Sequence, residues 1–248
     1  MYSWCAPIDL ALLKFKNPPS SYGTPAILGD SGLLKPGDDL MAVGSLLGNR
    51  FTATYGNLAN KAVPKMYPFL TSYLSTHFEF SPSVEMTYTG RIDHGCSGGP
   101  LFAKDGSVVG MILSVVHELD SMPRALASEN IATICERMDK PGELELGTIE
   151  AAFTDSAKLI APDIEVLKIP APKNPGVVVV LVYKNGSSDG ILQKGDIISH
   201  YNGVPVKSAR DLSRMILHTG STGMKVSLGV VRGDGPPTMI EIVMAKLE

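Results

Sequence analysis

The sequence predicts a mainly β protein built from two successive domains. From residue 8 to about residue 116, short apolar runs alternate with glycine and proline, which is typical of an all-β barrel or sandwich. Helical periodicity appears at residues 130–138, and a second β-rich pattern with one amphipathic helix follows it. The 248 residues are enough for two ordinary domains, each with its own core.

The first domain begins with a series of candidate strands. They lie at residues 8–15, 40–47, 51–59, 84–90, 100–106 and 107–116, and a Pro-Gly turn occupies residues 35–39. Ile131, Ile134, Cys135 and Met138 share one face of the helix that closes this region. Residues 140–142, Lys-Pro-Gly, have the composition of a hinge, so we predict domains at 1–140 and 141–248.

The second domain is predicted to contain strands at residues 176–182, 195–203, 224–233 and 237–245. Its helix covers residues 208–217, where Leu212, Met215 and Ile216 fall on one side. The fold class expected here is therefore a β-sandwich or partial barrel with one or two helices.

Composition excludes several classes of function. A net charge of −3 offers no basic stripe for phosphates, so no nucleic-acid partner is expected. The longest apolar run, residues 177–182, is too short to span a bilayer. The three cysteines contain no CxxC pair, so neither a metal nor another cofactor is expected. No targeting segment is visible, and the compartment stays open.

The segment GCSGGPLF, residues 95–102, carries the candidate chemistry. A serine hydroxyl becomes a useful nucleophile when it is held in position, deprotonated by a base and faced by donors for the oxyanion. Gly95 lets the backbone turn so that its N–H and that of Ser97 can point at one spot, and the glycines after Ser97 leave room for substrate. A glycine-rich β-turn with an incidental serine is the alternative.

The pattern G-x-S-G-G-P resembles the active-site signature of trypsin-like proteases, and residues 8–15 and 28–45 are similar to segments of the HtrA/Deg family. The resemblance implies a chymotrypsin-like double β-barrel whose first barrel is incomplete here. It also implies that Ser97 is the nucleophile, that Asp9 is the acid of the triad, and that the amides of Gly95 and Ser97 form the oxyanion hole.

The catalytic histidine of that family has no counterpart in this sequence. It should precede the aspartate by several tens of residues, but eight residues precede Asp9 and none is histidine. His94 shares the tight loop of Ser97, and its ring is predicted to point away from the nucleophile. We therefore expect an N-terminally truncated form that is almost inert, with a loss of roughly a million-fold.

A second resemblance covers residues 146–217, which are similar to a PDZ domain, with residues 146–153 as its entry strand. It implies that a peptide adds as a strand beside an exposed sheet edge and that its terminal carboxylate is received by backbone amides of the loop at residues 175–178, including Gly176, Val177 and Val178. The helix at residues 208–217, with Leu212, is the other wall of the groove. The expected function is an HtrA/Deg-like serine endopeptidase for misfolded or unfolded proteins. Proteases of this family are commonly homo-oligomers, and the oligomeric state of this chain stays open.

The alternative function is a catalytically inactive, chaperone-like peptide-binding protein. It is motivated by the missing histidine and by an insertion at residues 66–82.

Overall fold

The computed structural model describes residues 2–18, 20–21, 23–63, 85–115, 122–172 and 174–247. Contacts divide the described chain into two compact units, one ending at Leu144 and the other beginning at Glu145. The division falls after Leu144 rather than after Lys140 because residues 142–144 hydrogen-bond to the strand at Ser3–Cys5. The insertion at residues 66–82 lies outside the described residues.

A closed antiparallel barrel dominates the first unit. Its strands are β3 (Asp39–Gly44), β4 (Thr52–Val63), β5 (Glu85–Tyr88), β6 (Pro100–Ala103), β7 (Val108–Val115) and β8 (Pro123–Ala127). They close in the order β3-β4-β5-β8-β7-β6. Buried and more exposed side chains alternate along β3 and show which of its faces points into the barrel. Leu40 and Ala42 are each 2% exposed, while Met41 between them points outward.

A small sheet and a helix complete this unit. β1 (Ser3–Cys5) pairs antiparallel with β2 (Leu10–Leu12) and parallel with β9 (Gly142–Glu143). Helix α1 (Ser128–Arg137) lies where the periodicity predicted a helix, with Ile134 fully buried. Short 3-10 turns occupy Ala6–Ile8, Ser31–Leu33 and Leu46–Gly48.

The second unit is built around one sheet in the order β11-β12-β13-β15-β16. Its strands are β10 (Gly147–Thr148), β11 (Ala151–Asp155), β12 (Val177–Val182), β13 (Ile197–Tyr201), β14 (Val204–Pro205), β15 (Lys225–Val231), β16 (Thr238–Val243) and β17 (Ala245–Lys246). β10 pairs with β17, and β14 pairs with β13. A 3-10 turn covers Ser156–Lys158.

Two helices flank this sheet. α3 (Ala209–Thr219) starts at the N-cap residue Ser208, whose side chain accepts from the Asp211 N–H. α2 (Ala161–Leu167) was not predicted from the sequence, because its 7 residues are too few to show a helical repeat of apolar side chains. Among the described residues, no helix has the length and apolar character that a membrane crossing demands.

Candidate active site

The loop that carries Ser97 leads into β6 and presents the serine at the surface. Gly95 and Gly98 have φ values of 93° and 79°, in the left-handed region that glycine enters without steric cost. Between them, Cys96 is 3% exposed and lies so close to Gly44 that a Cβ on Gly44 would be 2.8 Å from the Cys96 Cα. The loop therefore anchors Cys96 in the barrel and turns Ser97 outward.

The peptide unit between His94 and Gly95 is held by the segment that follows β3. Leu47 N–H donates to the His94 carbonyl at 2.9 Å, and Ser45 N–H donates to the Gly95 carbonyl at 3.0 Å. Because C=O and N–H point in opposite directions in a trans peptide, fixing the His94 carbonyl directs the Gly95 N–H away from Leu47. Within the described part of the chain, that N–H meets no carbonyl acceptor.

The peptide unit between Cys96 and Ser97 has the same arrangement. Gly99 N–H donates to the Cys96 carbonyl at 2.9 Å, which turns the Ser97 N–H to the opposite side. The Ser97 amide also lacks a backbone acceptor among the residues that the structure describes, whereas Gly98 N–H donates to Ile112 O at 2.7 Å. Two free amides thus flank Cys96 beside the Ser97 hydroxyl, which is the kind of donor set that stabilises an oxyanion.

The barrel interior near this loop is neutral. Tyr88 is fully buried, and its hydroxyl donates to the Thr54 carbonyl at 2.7 Å. Burial is the main cause that raises the pKa of Tyr88 above its ordinary value, and the neighbouring Cys96 raises it further. The phenol therefore stays protonated at neutral pH. No cluster of three or more metal-ligating side chains occurs in the described ranges.

Asp9 lies in the turn between the Ala6–Ile8 turn and β2. Its φ is 54°, and its N–H donates to the Ala6 carbonyl at 3.0 Å. The exposed side chain lines a cleft of about 300 Å³ together with Trp4 and Cys5. The structure thus places Asp9 in the compact unit of Ser97, next to the small sheet rather than the barrel, and no hydrogen bond joins the two side chains within the described residues.

No imidazole forms a hydrogen bond with Ser97 in the part of the chain that is described. His94 is exposed, and its backbone N–H donates to Asp93 Oδ1 at 2.7 Å. Two further histidines, His77 and His117, lie outside the described residues.

The structure differs from the prediction that backbone amides of Gly176, Val177 and Val178 receive a peptide carboxylate, because these residues lie in or next to a strand that is paired on both sides. Val177 and Val178 pair with β11 on one side and with β13 on the other. Gly176 N–H donates to Ser156 Oγ at 3.1 Å, and its carbonyl accepts from Ser156 N–H at 2.8 Å. Because both edges of the strand are occupied here, an incoming peptide finds no free backbone groups.

Leu212 also differs from its predicted place in a groove wall. Its side chain is fully buried in the core of the second unit, in the same cluster as Phe153 and Leu228. The contribution of Leu212 is therefore to fix α3 on the sheet rather than to face an open groove.

The sheet ends on β11 and on β16, and the edge that α3 contacts belongs to β11, which overlaps the segment at residues 146–153 that resembles the entry strand of a PDZ domain. β11 ends the strand order, and its side opposite β12 is unpaired among the described strands. Ser156 N–H donates towards β12, so alternation along an antiparallel strand directs the N–H groups of Phe153 and Asp155 to the open side. α3 contacts β11, and Ala209 N–H donates to Asp155 Oδ1 at 2.6 Å. The sequence contained one signal that β12 is not an edge strand, since its run of four valines, all buried, is typical of a central strand.

Comparison with known proteins agrees with this architecture. Residues 2–111 match the model of the trypsin-like peptidase domain, and residues 152–240 match that of the PDZ domain. The periplasmic pH-dependent serine endoprotease DegQ of Escherichia coli (strain K12) is 28% identical over 240 residues, which are 95% of this chain and 48% of DegQ. A serine protease HtrA-like protein of Staphylococcus aureus (strain USA300) is 27% identical over 244 residues, 94% of this chain and 30% of that protein. The chain thus spans less than half the length of these relatives.

Solved structures share the fold. The HtrA-type protease AlgW with decapeptide superposes with a TM-score of 0.56 at 21% identity, covering 89% of this chain and 64% of AlgW. AlgW with tripeptide also gives a TM-score of 0.56, at 19% identity, over 94% of this chain and 71% of AlgW. The predicted fold class, a trypsin-like barrel followed by a PDZ domain, is confirmed.

Proposed function

The chain belongs to the HtrA/Deg family of serine proteases with a C-terminal PDZ domain, and from this premise we propose that it acts as an endopeptidase on unfolded or misfolded polypeptides. In this proposal Ser97 is the nucleophile, Asp9 is the triad acid, and the amides of Gly95 and Ser97 form the oxyanion hole. The observation that supports it most is the pair of free amides beside Ser97, held in place by Leu47 and Gly99.

The chemistry follows from these positions. Ser97 Oγ forms a bond to the substrate carbonyl carbon, the carbonyl π electrons move onto oxygen, and the two amides donate to that oxyanion. The hydroxyl proton passes to an imidazole, which later protonates the leaving amine as the C–N bond breaks, and water then hydrolyses the acyl-enzyme. In this proposal the imidazole belongs to a histidine that the structure does not describe, and Asp9 fixes the tautomer of that imidazole.

A fluorophosphonate probe tests the nucleophile directly, because it forms a covalent bond to an activated serine oxygen and releases fluoride. We expect labelling of the protein in its natural full length, loss of labelling in Ser97→Ala, and unchanged labelling in the exposed control Ser20→Ala. Digestion of unfolded casein should follow the same pattern. Labelling that persists in Ser97→Ala would contradict the assignment of the nucleophile.

A second candidate function is chaperone-like binding of unfolded chains without cleavage. It is favoured by the absence of an imidazole hydrogen bond to Ser97 in the described ranges. Under this alternative the full-length protein leaves casein intact and resists the probe, yet it suppresses aggregation of an unfolded protein. The two functions are distinguished by whether casein disappears.

The PDZ domain is proposed to bind peptide C-termini as an added strand on β11. Support comes from the open edge at Phe153 and Asp155 and from α3 beside it. Hydrogen exchange tests the place of binding. A peptide with a free carboxylate should slow exchange of the Phe153 and Asp155 amides, whereas the same peptide with an amidated end should not. Slowing confined to Val177 and Val178 would favour the original prediction instead.

A further inference from the structure

The outer wall of the barrel carries a row of large apolar side chains. On β3, Met41 lies directly opposite Tyr55 of β4 on one side and Phe102 of β6 on the other. The Tyr55 side chain is 76% exposed, whereas Met41 and Phe102 are half-buried. These three residues line a cleft of about 510 Å³, which we call the outer-wall cleft. Aromatic residues and methionine are enriched at protein interfaces.

Side chains have to provide the recognition in this cleft. β3 is paired on both edges, with β4 and with β6, so its backbone has no edge to which a peptide strand could add. A ligand of the outer-wall cleft therefore needs rigid apolar groups that fit between two aromatic rings rather than a free strand edge.

The spacing of the rings favours one kind of ligand. Tyr55 and Phe102 lie two strands apart, and neighbouring strands are about 4.8 Å apart, which puts their rows about 9.6 Å from each other. A polyproline II helix rises about 3.1 Å per residue, so prolines at positions i and i+3 are about 9.3 Å apart on one face. Such a segment places one proline ring on each aromatic side chain and a small residue over Met41.

Charge adds a second criterion. The next row of the same face contains Asp39 opposite Asn57, whose Nδ2 donates to Asp39 Oδ1 at 3.0 Å. Within the described residues no cation forms an ion pair with the exposed Asp39 carboxylate. Lys104 lines the cleft on the β6 side. A basic residue in the ligand therefore finds its complement at the β3–β4 side, next to the ring of Tyr55.

We propose that the outer-wall cleft binds a polyproline II segment of a partner polypeptide, with prolines at i and i+3 and a basic residue between them. This surface differs from both the Ser97 loop and the β11 edge, so the proposal goes beyond the proposed function and does not require cleavage.

Titration of the whole chain with an amidated peptide of the form Ala-Leu-Pro-Ala-Arg-Pro-Ala tests the proposal, since the blocked end removes any carboxylate for the PDZ domain. We expect saturable binding by fluorescence anisotropy, with NMR shifts at the Met41 methyl group. Tyr55→Ala should weaken binding about tenfold, as expected for an aromatic anchor. Asp39→Asn should weaken the arginine peptide several-fold but leave an alanine-for-arginine peptide unchanged.

Matched controls make each outcome decisive. Phe51→Ala removes another exposed aromatic ring, 88% exposed in the same unit, and should bind like wild type. A peptide with the same composition but adjacent prolines should bind at least about tenfold more weakly. Equal binding of the two peptides, wild-type affinity in Tyr55→Ala, or an unmoved Met41 methyl signal would each overturn the proposal. Self-association of the protein that Tyr55→Ala abolishes would replace the partner with a second copy and overturn it too.

Discussion

At the scale of single residues, the Ser97 loop depends on two glycines that differ in their surroundings. Both have positive φ, but a Cβ on Gly95 would lie 2.2 Å from the Ser45 carbonyl oxygen, whereas no atom lies within 4 Å of a Cβ on Gly98. Ser45 is also the residue whose N–H holds the Gly95 carbonyl. Ser45 therefore fixes the loop through its N–H and forbids a side chain at residue 95 through its carbonyl oxygen.

Gly95→Ala should displace the loop from Ser45 and misalign the Gly95 N–H. We expect a stability loss of about 2–4 kcal/mol, since a left-handed alanine costs about 1–2 kcal/mol and the backbone clash adds to it. If the protein is active, probe labelling of Ser97 should fall by about 10²–10³-fold, the usual effect of losing one oxyanion donor. Urea unfolding and labelling kinetics measure the two effects.

Gly98→Ala is the matched control, because it has the backbone strain without the clash. It should cost about 1 kcal/mol and leave labelling nearly unchanged. If Gly98→Ala and Gly95→Ala lose labelling to the same extent, the contact with Ser45 does not position the oxyanion donors.

At the scale of elements, the sequence predicted strands and the longer helices because their periodicities are local. The alternation around Leu40 and Ala42 indicated β3, and the one-sided apolar positions of α3 indicated a helix. The run of valines in β12 is typical of a central strand, but which strands pair with it depends on contacts between distant segments. The loop at residues 175–178 was therefore predicted to receive a peptide without knowledge that its amides are paired. The Gly95 and Ser97 amides could be proposed from the motif, but Leu47 as an anchor could not, since it lies far away in sequence.

One ion pair joins β15 to the turn before β13. Arg232 Nε and Nη2 donate to the two oxygens of Asp196 at 2.8 and 2.7 Å, and the Asp196 side chain is 1% exposed. Arg232→Ala leaves this buried carboxylate without its cation. We expect a loss of about 2 kcal/mol in urea unfolding, less than for a fully buried pair because water reaches the half-exposed Arg232.

The control is Lys246→Ala, which breaks the exposed pair with Glu145. Surface pairs contribute little, so its unfolding midpoint should stay close to that of wild type. A loss as large as that of Arg232→Ala would show that burial of Asp196 is not the cause.

The pair of Glu145 and Lys246 also predicts how the stability of the folded protein changes with pH. The hydrogen bond from Lys246 is the main cause that lowers the pKa of Glu145 in the folded protein. A lowered folded pKa contributes stability above the unfolded pKa of Glu, about 4.3, which is lost as pH falls through the folded value. The difference in unfolding midpoint between wild type and Glu145→Gln should be small, because the pair is exposed, and it should shrink further on acidification. If the difference between the two unfolding midpoints grows towards low pH, the ion pair with Lys246 is not its cause.

At the scale of the whole molecule, each unit contains its own core. The main cluster of the second unit lies entirely between Ile149 and Met244, and the barrel cluster lies between Leu34 and Ala125. Strand pairing is equally separate, because β10 to β17 pair among themselves. Burial and backbone hydrogen bonding are therefore satisfied within each unit, which is what independent folding requires.

This separation predicts that the PDZ unit folds alone, and it predicts where it begins. Gly142–Glu143 pairs with β1, and Leu144 N–H donates to the Trp4 carbonyl at 2.7 Å, so residues 141–144 have their partners in the first unit. Fragments 141–248 and 145–248 should show the same thermal midpoint and the same amide shifts as that unit in the whole chain. Failure of both fragments to fold would contradict an independent core, and a higher midpoint for 141–248 alone would favour the boundary at the Lys-Pro-Gly hinge.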